Sequence, residues 1–271
     1  MLKGKRILVA SDLSSRAERA LDRAVQLATE QGAKLSVLYV QEELLLKKWT
    51  DQSMREARKK LRQKSKVWSQ QKNLTATIHA VVGKPFVEII RRARADKADV
   101  VLVGAHGEHF LRDLFLGTSA EAVIRKGDRT VLVVKQPPHG PYQRVLVPVD
   151  FSDASRQALE AAFALAPVAE FHIFHATGAV FEEQLRLGGL SESDIIRHRR
   201  QLVVDARQDM ERFLRGVDCG TKHVRSQVQS GRAVPGITQA VAQLGVDLVA
   251  MGTLGRSDLP YTLLGSVAQQ M

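Results

Sequence analysis

Short apolar runs alternate with longer amphipathic segments along the first half of the chain. Between the runs, apolar residues recur every three or four positions, which is typical of helices that cover a sheet. Ser15 followed by Glu18 predicts a capping box at the start of the first helix. Alternating strands and helices predict a parallel sheet with right-handed crossovers. The predicted strands are 6 to 11, 34 to 41, 75 to 81, 99 to 104 and 130 to 135.

The same pattern returns in the second half. KRILVASDLSSRAERALDRAVQLA, from residue 5, matches QRVLVPVDFSDASRQALEAAFALA, from residue 143, at an offset of 138. ADVVLVGAHG, from residue 98, matches VDLVAMGTLG, from residue 246, at an offset of 148, so the second copy has ten additional residues, which we place within 178 to 217. KQPPHGPYQ, with three prolines, reads as the linker. We therefore expect two domains, 1–137 and 143–271.

The second copy is shorter at its end. After Ser119 the first copy continues through a helix and the strand TVLVV, whereas only four residues follow Val267. A fifth strand is therefore expected to be absent from the second sheet. Because an exposed strand edge recruits other strands, we expect either a homodimer or a longer native chain. The predicted strands of this copy are 144 to 149, 170 to 176, 222 to 229 and 247 to 252.

Composition indicates an ordinary globular protein, with 44% apolar and 25% charged residues. No apolar stretch reaches the ~18 to 20 residues of a membrane span, and the run at 7 to 10 is too short for a signal peptide. We therefore expect a cytoplasmic protein without a membrane span. The single Cys219 is expected to be an inert thiol.

The net charge of +11 is concentrated in one segment. Residues 1 to 135 hold 27 basic and 15 acidic residues, a net of +12, and residues 136 to 271 hold 13 and 14, a net of −1. Residues 47 to 72 contribute ten basic and two acidic residues, a net of +8, on a predicted amphipathic helix. A solvated helix face is the simpler interpretation, and contact with nucleic acid or another anionic surface is the alternative.

Glycines follow the fourth predicted strand of each copy in the pattern Gly-2x-Gly-9x-Gly. A parallel α/β sheet binds its ligand beyond the carboxyl ends of its strands, and with the order 3-2-1-4-5 the ends of strands one and four are neighbours. Glycines allow close approach of the main chain, and a helix that begins after the third glycine offers unpaired amides to phosphate. Ordinary turn glycines are the alternative interpretation. No GxxxxGK[ST] sequence is present, which argues against a P-loop NTPase.

These features resemble the universal stress protein family in its tandem form. The resemblance rests on the strand that ends in Asp, the V-x-V-G-x-x-G turn, the nine-residue spacer and the segment AEAVIRKGDRTVLVVK, and it covers essentially the whole chain. It implies the nucleotide-binding branch of the family, with ATP or another adenine nucleotide as ligand, a regulatory or sensor role in the stress response, and paired domains.

The resemblance also implies roles for individual residues. The acidic residue after strand one, near ribose or a magnesium ion, corresponds to Asp12 and Asp150. Adenine would lie near Ala10 and Val40 in the first copy and near Pro148 and Ala176 in the second. The implied phosphate contacts are Gly104, Gly107, Gly117, Thr118 and Ser119, and in the second copy Gly252, Gly255, Gly265, Ser266 and Val267.

The two copies differ at these sites. Glu108 follows the second glycine of the first copy, whereas Arg256 in the second copy could neutralise phosphate. The second copy, however, has little of the helix whose N-terminus would bind that phosphate. We therefore do not expect either copy to be the better nucleotide site. No set of Ser, His and Asp supports catalysis, and His172 and His175 are expected on opposite faces of a strand. Slow ATP hydrolysis and nonspecific polyanion binding through 47 to 72 stay as alternative functions.

Overall fold

The computed structural model describes residues 4–42, 47–105, 117–177, 188–189, 191–253 and 265–270. The chain divides into two compact units, Met1–Pro141 and Tyr142–Met271. Each unit is built around its own parallel sheet.

The first unit contains the predicted five-stranded parallel sheet. Its strand order is β3-β2-β1-β4-β5, which confirms the predicted doubly wound topology. The strands are β1 (Arg6–Ala10), β2 (Lys34–Gln41), β3 (Ala76–Val82), β4 (Val100–Gly104) and β5 (Thr130–Val134). The helices between them are α1 (Ser15–Gln31), α2 (Lys47–Lys72), α3 (Pro85–Ala95) and α4 (Thr118–Lys126).

The second unit repeats this order without a fifth strand among its described residues. Its sheet has four parallel strands in the order β8-β7-β6-β9, as predicted. The strands are β6 (Arg144–Pro148), β7 (Glu170–Thr177), β8 (His223–Ser230) and β9 (Leu248–Val249). The helices are α5 (Asp153–Leu165), α6 (Glu192–Arg215), α7 (Ala233–Leu244) and α8 (Ser266–Gln270). Strand β9 is shorter than predicted, although the Ala250 amide still donates to the Leu146 carbonyl at 2.9 Å.

The predicted capping box at Ser15 is wrong by one residue. Leu13 has a φ of 62°, and this left-handed turn places Ser14 in the extended N-cap conformation, where its hydroxyl accepts a hydrogen bond from the Ala17 amide. Ser15 is therefore the first helical residue. Glu18 forms an ion pair with Lys64 at 2.7 Å instead of returning to the cap.

Apolar side chains from the helices bury the faces of both sheets. In the first unit, Leu8 and Val101 pack in one cluster with Ile89 and Val123. In the second unit, Leu146 and Phe174 pack with Ile237 and Ala240. Because the sheet faces are covered, the carboxyl ends of the strands and the loops that follow them are the part of each unit that can receive a ligand.

Candidate functional site

Asp12 lies at the carboxyl end of β1, directly after the last paired residues of that strand. The Ser11 amide continues the sheet by donating to the Leu38 carbonyl at 3.0 Å. The chain then turns, and the Asp12 Oδ1 atom accepts hydrogen bonds from the Ser14 amide at 3.0 Å and from the Ser14 hydroxyl at 2.6 Å. Asp12 stays exposed, so its carboxylate can also contact a ligand from solvent.

A backbone hydrogen bond closes the base of the loop that follows β4. The Gly117 amide donates to the Ala105 carbonyl at 2.7 Å, and the Ala105 amide donates to the Val134 carbonyl at 3.2 Å. The loop therefore leaves and rejoins the domain at one point beside β1, since β1 and β4 are paired neighbours. Gly107, a predicted phosphate contact, lies in the segment 106–116, outside the described residues.

Helix α4 begins at this closure point without a side-chain cap. Gly117 is its N-cap residue, with φ −64° and ψ 146°, and it has no side chain that could accept from the first amides. Helix geometry leaves the first amides without carbonyl partners inside the helix. The amides of Thr118, Ser119 and Ala120 are therefore available to an anion at the same edge of the sheet as Asp12.

The second copy has the same closure. The Gly265 amide donates to the Thr253 carbonyl at 2.8 Å, at positions equivalent to those of Gly117 and Ala105. Helix α8 begins at Ser266, and its described part is five residues long. Val267 packs against the apolar cluster of its unit, so its main chain, and not its side chain, is left for a ligand. Gly255 and Arg256 lie outside the described residues.

Gly252 has a packing role of its own. A Cβ atom at this position would lie 3.0 Å from both the Cβ and the carbonyl carbon of Ala154, in the first turn of α5. The close approach of two backbone segments therefore favours glycine here, because any other residue would push the first turn of α5 away by a few tenths of an ångström. Gly104 lies within β4, where it is paired with Val134.

The positions expected near adenine lie at the ends of the central strands. Val40 extends two residues beyond the β1–β2 pairing, whose last pair is Ala10 and Leu38. The side chains of Ala10 and Val40 pack against the apolar cluster, as does Ala176 in the second unit. The main chain at Val40 and Ala176 is thus the part that can contact a base. Pro148 ends β6 and is half-buried.

Asp150 is held more firmly than its counterpart Asp12. Its Oδ1 atom accepts from the Ser152 amide and from the hydroxyls of Ser152 and Ser155. Burial raises the pKa of Asp150, but these hydrogen bonds from Ser152 and Ser155 outweigh burial and place it below the ordinary value of 3.8. The residue equivalent to Ser155 in the first copy is Ala17, which cannot make this bond.

An aromatic contact beside Asp150 was not anticipated from the sequence. The His175 ring lies 4.3 Å from the Phe151 ring, measured between centroids, and His175 Nδ1 is 2.7 Å from the Val149 carbonyl oxygen. Phe151 has a φ of 65°, like Leu13 in the first copy, and its side chain is thereby turned towards β7. In the sequence, the signal for this contact was the aromatic residue directly after Asp150. The first copy has Leu13 at the equivalent position.

The other candidate side chains do not form a shared site. His172 Nε2 lies 3.6 Å from Glu170 Oε1, so His172 and His175 contact different partners. Burial, with a smaller contribution from Asp218, raises the pKa of the Cys219 thiol, which lowers its reactivity at neutral pH. Across the part of the chain that the structure describes, no group of three His, Cys, Asp or Glu side chains could hold a metal ion.

A cleft of about 480 Å³ opens between α2 and the beginning of α1. It borders the β1–α1 turn at Leu13 but includes none of the predicted nucleotide contacts. Its lining residues are Leu13, Glu18, Lys60, Gln63, Lys64, Val67 and Trp68. None of the described helices combines the length and apolar character that a membrane span requires.

Two parallel sheets of matching strand order, each with a loop closed at glycine beyond its fourth strand, define a tandem doubly wound α/β protein. The chain belongs to the universal stress protein family, because the model of that family matches residues 4–135 and, a second time, residues 141–271.

Relatives of this chain are known from sequence and structure. Universal stress protein MJ0577 of Methanocaldococcus jannaschii is 30% identical over 156 residues, which cover 49% of this chain and 95% of that protein. Universal stress protein YxiE of Bacillus subtilis is 29% identical over 145 residues, covering 48% of this chain and 98% of its own. The crystal structure of a universal stress protein from Archaeoglobus fulgidus covers 98% of this chain and 93% of its own, with a TM-score of 0.70 and 20% identity. Each of the two sequence relatives therefore has the length of one copy, whereas the Archaeoglobus fulgidus protein has the fold over both copies.

Proposed function

We propose that this protein binds an adenine nucleotide, ATP, beyond the strand ends of one or both copies and acts as a cytoplasmic regulator of the stress response. The observation that carries this proposal is the hydrogen-bonded closure at Ala105 and Gly117, from which α4 begins with its first amides free. Free amides at a helix start bind phosphate because they supply hydrogen-bond donors and a partial positive charge. Bound nucleotide stabilises one conformation, and a partner protein recognises that conformation.

In the first copy the ligand contacts divide by chemical group. Thr118 and Ser119 bind phosphate through main-chain amides. The Gly117 amide is used in the closure to Ala105, so Gly117, like Gly104 and the undescribed Gly107, lets the phosphate approach the main chain closely. The main chain at Val40 contacts adenine, and Asp12 contacts ribose or a magnesium ion. The equivalent contacts in the second copy are Pro148, Asp150, Ala176, Gly252, Gly255, Arg256, Gly265, Ser266 and Val267.

The two aspartates favour magnesium in the first copy. Asp12 is exposed and, within the part of the chain that the structure describes, accepts hydrogen bonds from Ser14, so its carboxylate has remaining lone pairs for a cation. Asp150 Oδ1 already accepts three hydrogen bonds, two of them from hydroxyls that would have to reorient around a metal ion. Magnesium bound with nucleotide would supply charge neutralisation between the phosphates and Asp12.

Slow ATP hydrolysis is the alternative function. A magnesium ion and phosphate-binding amides would also stabilise charge in phosphoryl transfer. For His106, between Gly104 and Gly107, a polar turn residue facing solvent or ribose is the simpler interpretation and a catalytic base is the alternative, and the residue lies outside the described part of the chain. ATP turnover that disappears in the Asp12→Ala, Asp150→Ala double variant would establish this alternative, whereas binding without turnover supports the regulatory role.

Replacing Thr118 by proline tests the phosphate contact. Proline at the first helical position keeps the helix but removes one amide hydrogen, and the extended backbone of Gly117 suits a following proline. Because hydrogen bonds to charged groups contribute about 1.5–3 kcal/mol, Thr118→Pro should weaken ATP binding at one site by about tenfold or more. Isothermal titration calorimetry with ATP and magnesium measures this affinity and the number of sites.

Thr118→Ala is the matched control, because it removes the hydroxyl and keeps the amide. It should weaken binding less than Thr118→Pro does. Ser266→Pro and Ser266→Ala are the corresponding pair in the second copy. Purified protein is first checked by mass spectrometry for nucleotide that is already bound. A wild-type chain that neither contains nor binds ATP, ADP or AMP rejects the proposal, and so does binding like that of the wild type in both the Thr118→Pro and the Ser266→Pro variants.

A further inference from the structure

Helix α2 presents a row of five cations on the side opposite to its buried residues. The buried side is formed by Thr50, Met54, Ala57, Leu61 and Trp68. The row is formed by Lys48, Arg55, Lys59, Arg62 and Lys66, and all five side chains belong to exposed residues. Their spacings of seven, four, three and four residues keep them within about 60° of one another around a helix of 3.6 residues per turn. The row is about 27 Å long at 1.5 Å per residue.

These five cations have no ion-pair partner in the part of the chain that the structure describes. The ion pair that does involve α2 joins Lys64, outside the row, to Glu18 of α1. Asp51 and Glu56 are the acidic residues of the helix, against ten basic ones, so its net charge is +8. Arg55 and Lys59, and likewise Arg62 and Lys66, are like charges four residues apart, an arrangement that destabilises a helix.

The fold does not require this charge. The equivalent helix of the second unit, α6, has six arginines and five acidic residues, a net of +1. Its charges are paired along the helix, as in Arg197 with Asp194 and Arg215 with Glu211. The two helices occupy the same place in the same topology, so the cationic row is a property of the first copy that folding alone leaves unexplained.

We propose that this row binds the phosphate backbone of a nucleic-acid duplex without reading its sequence. A linear series of fixed cations complements a linear series of phosphates, and binding releases the counterions that both surfaces otherwise hold. It also relieves the repulsion between like charges within the row. This inference concerns a separate surface and is independent of nucleotide binding at the strand ends.

A membrane surface fits the row less well. A helix that lies in a bilayer interface inserts its apolar face, whereas the apolar residues of α2, including Met54 and Leu61, are buried against their own domain. Single-stranded nucleic acid is also disfavoured, because it is held by bases stacked on aromatic side chains. Of the two tryptophans in α2, Trp68 is buried, and Trp49 is exposed at the end of the helix and away from the row.

Fluorescence anisotropy with labelled 24-base-pair DNA duplexes of two unrelated sequences tests the proposal. Both should bind with similar affinity. Five phosphate contacts predict a slope of log K against log salt concentration of about −4.5, or a loss on the order of 500-fold between 50 and 200 mM salt. The single variant Arg62→Gln should lower the magnitude of this slope by about 1.

The decisive comparison uses two variants with the same net charge. One carries Gln at the five positions of the row, and the control carries Gln at five exposed arginines of α6: Arg197, Arg200, Arg207, Arg212 and Arg215. The row variant should lose nearly all of the salt-dependent binding, whereas the α6 variant should keep the wild-type slope. Glutamine is a good helix former, and circular dichroism verifies that both variants are folded.

Three results would overturn the proposal. The first is no duplex binding by the wild-type chain at 50 mM salt. The second is an equal loss in both variants, which would mean that net charge alone acts. The third is binding to vesicles that contain phosphatidylserine, with the same dependence on the row and at higher affinity than duplex DNA, which would assign the surface to membranes.

Discussion

One hydroxyl group separates the environments of the two equivalent aspartates. Ser155 donates to Asp150, whereas Ala17 at the corresponding position of the first copy leaves Asp12, among the described residues, with the donors of Ser14. The pKa of Asp150 is lowered in the folded protein. Its stabilising contribution is therefore complete above the ordinary carboxyl pKa and is lost as the pH falls through the lowered value.

Ser155→Ala should destabilise the protein in a pH-dependent manner. We expect a loss of about 1–2 kcal/mol at pH 7, since a hydrogen bond to a carboxylate is removed, and a smaller loss at pH values below about 4, where the carboxyl of the unfolded chain is protonated. Urea unfolding from pH 7 down to the lowest pH at which the chain is folded measures the difference. In an Asp150→Asn background the same substitution should have a smaller effect that does not vary with pH. A loss that is independent of pH in both backgrounds would contradict this account.

At the scale of elements, both copies begin their first helix in the same way. A left-handed residue, Leu13 or Phe151, is followed by a serine whose side chain caps the helix, Ser14 or Ser152. The helix start is thus set by the turn that precedes it.

Ser14→Ala and Ser15→Ala distinguish the observed cap from the one predicted by the sequence pattern. Ser14→Ala should lower the free energy of unfolding by about 1 kcal/mol, because the cap to Ala17 and the bond to Asp12 are both removed. Ser15 is exposed, and Ser15→Ala should change it by less than about 0.5 kcal/mol. Urea unfolding of both variants at pH 7 provides the measurement. Equal losses would mean that Ser14 does not act as the cap.

The sequence pattern predicted the strands and their order better than it predicted helix starts. Strands such as Val100–Gly104 have both faces buried in a parallel sheet, so they consist almost entirely of apolar residues. Such continuous apolar runs are easy to recognise in the sequence. The predicted strand 247 to 252 is reduced to β9, which has one partner strand, β6, among the described residues and so lacks the support that β5 gives β4.

The sequence predicted a site at the strand ends, but it could not reveal several contacts that the residues there make. Glycine spacing correctly marked residues that lie at strand ends and at the start of α4. It could not reveal that Gly252 is in close contact with Ala154, or that Ser155 bonds to Asp150, because both contacts depend on how a loop folds back on the following helix. The roles assigned to these residues in nucleotide binding stay predictions.

For the whole molecule, we predict self-association. Strands β3 and β5 are the two edge strands of the five-stranded sheet, and an edge strand such as β5 offers unpaired main-chain groups to a second chain. Size-exclusion chromatography with light scattering should give a mass about twice the 30.0 kDa of one chain, falling on dilution. A mass of one chain across the micromolar range would show that this edge is not used between copies.

The hydrogen bonds that join Ala105 to Gly117 and Thr253 to Gly265 fix both ends of the connection beyond the fourth strand of each copy. Each stretch is eleven residues long, 106–116 and 254–264, and the scaffold holds its two ends together whatever lies between them. The entropic cost of closing a stretch depends on its length, which is the same in both copies. The sequence of either stretch can therefore change at constant length while the closing hydrogen bond and the sheet of its unit are kept.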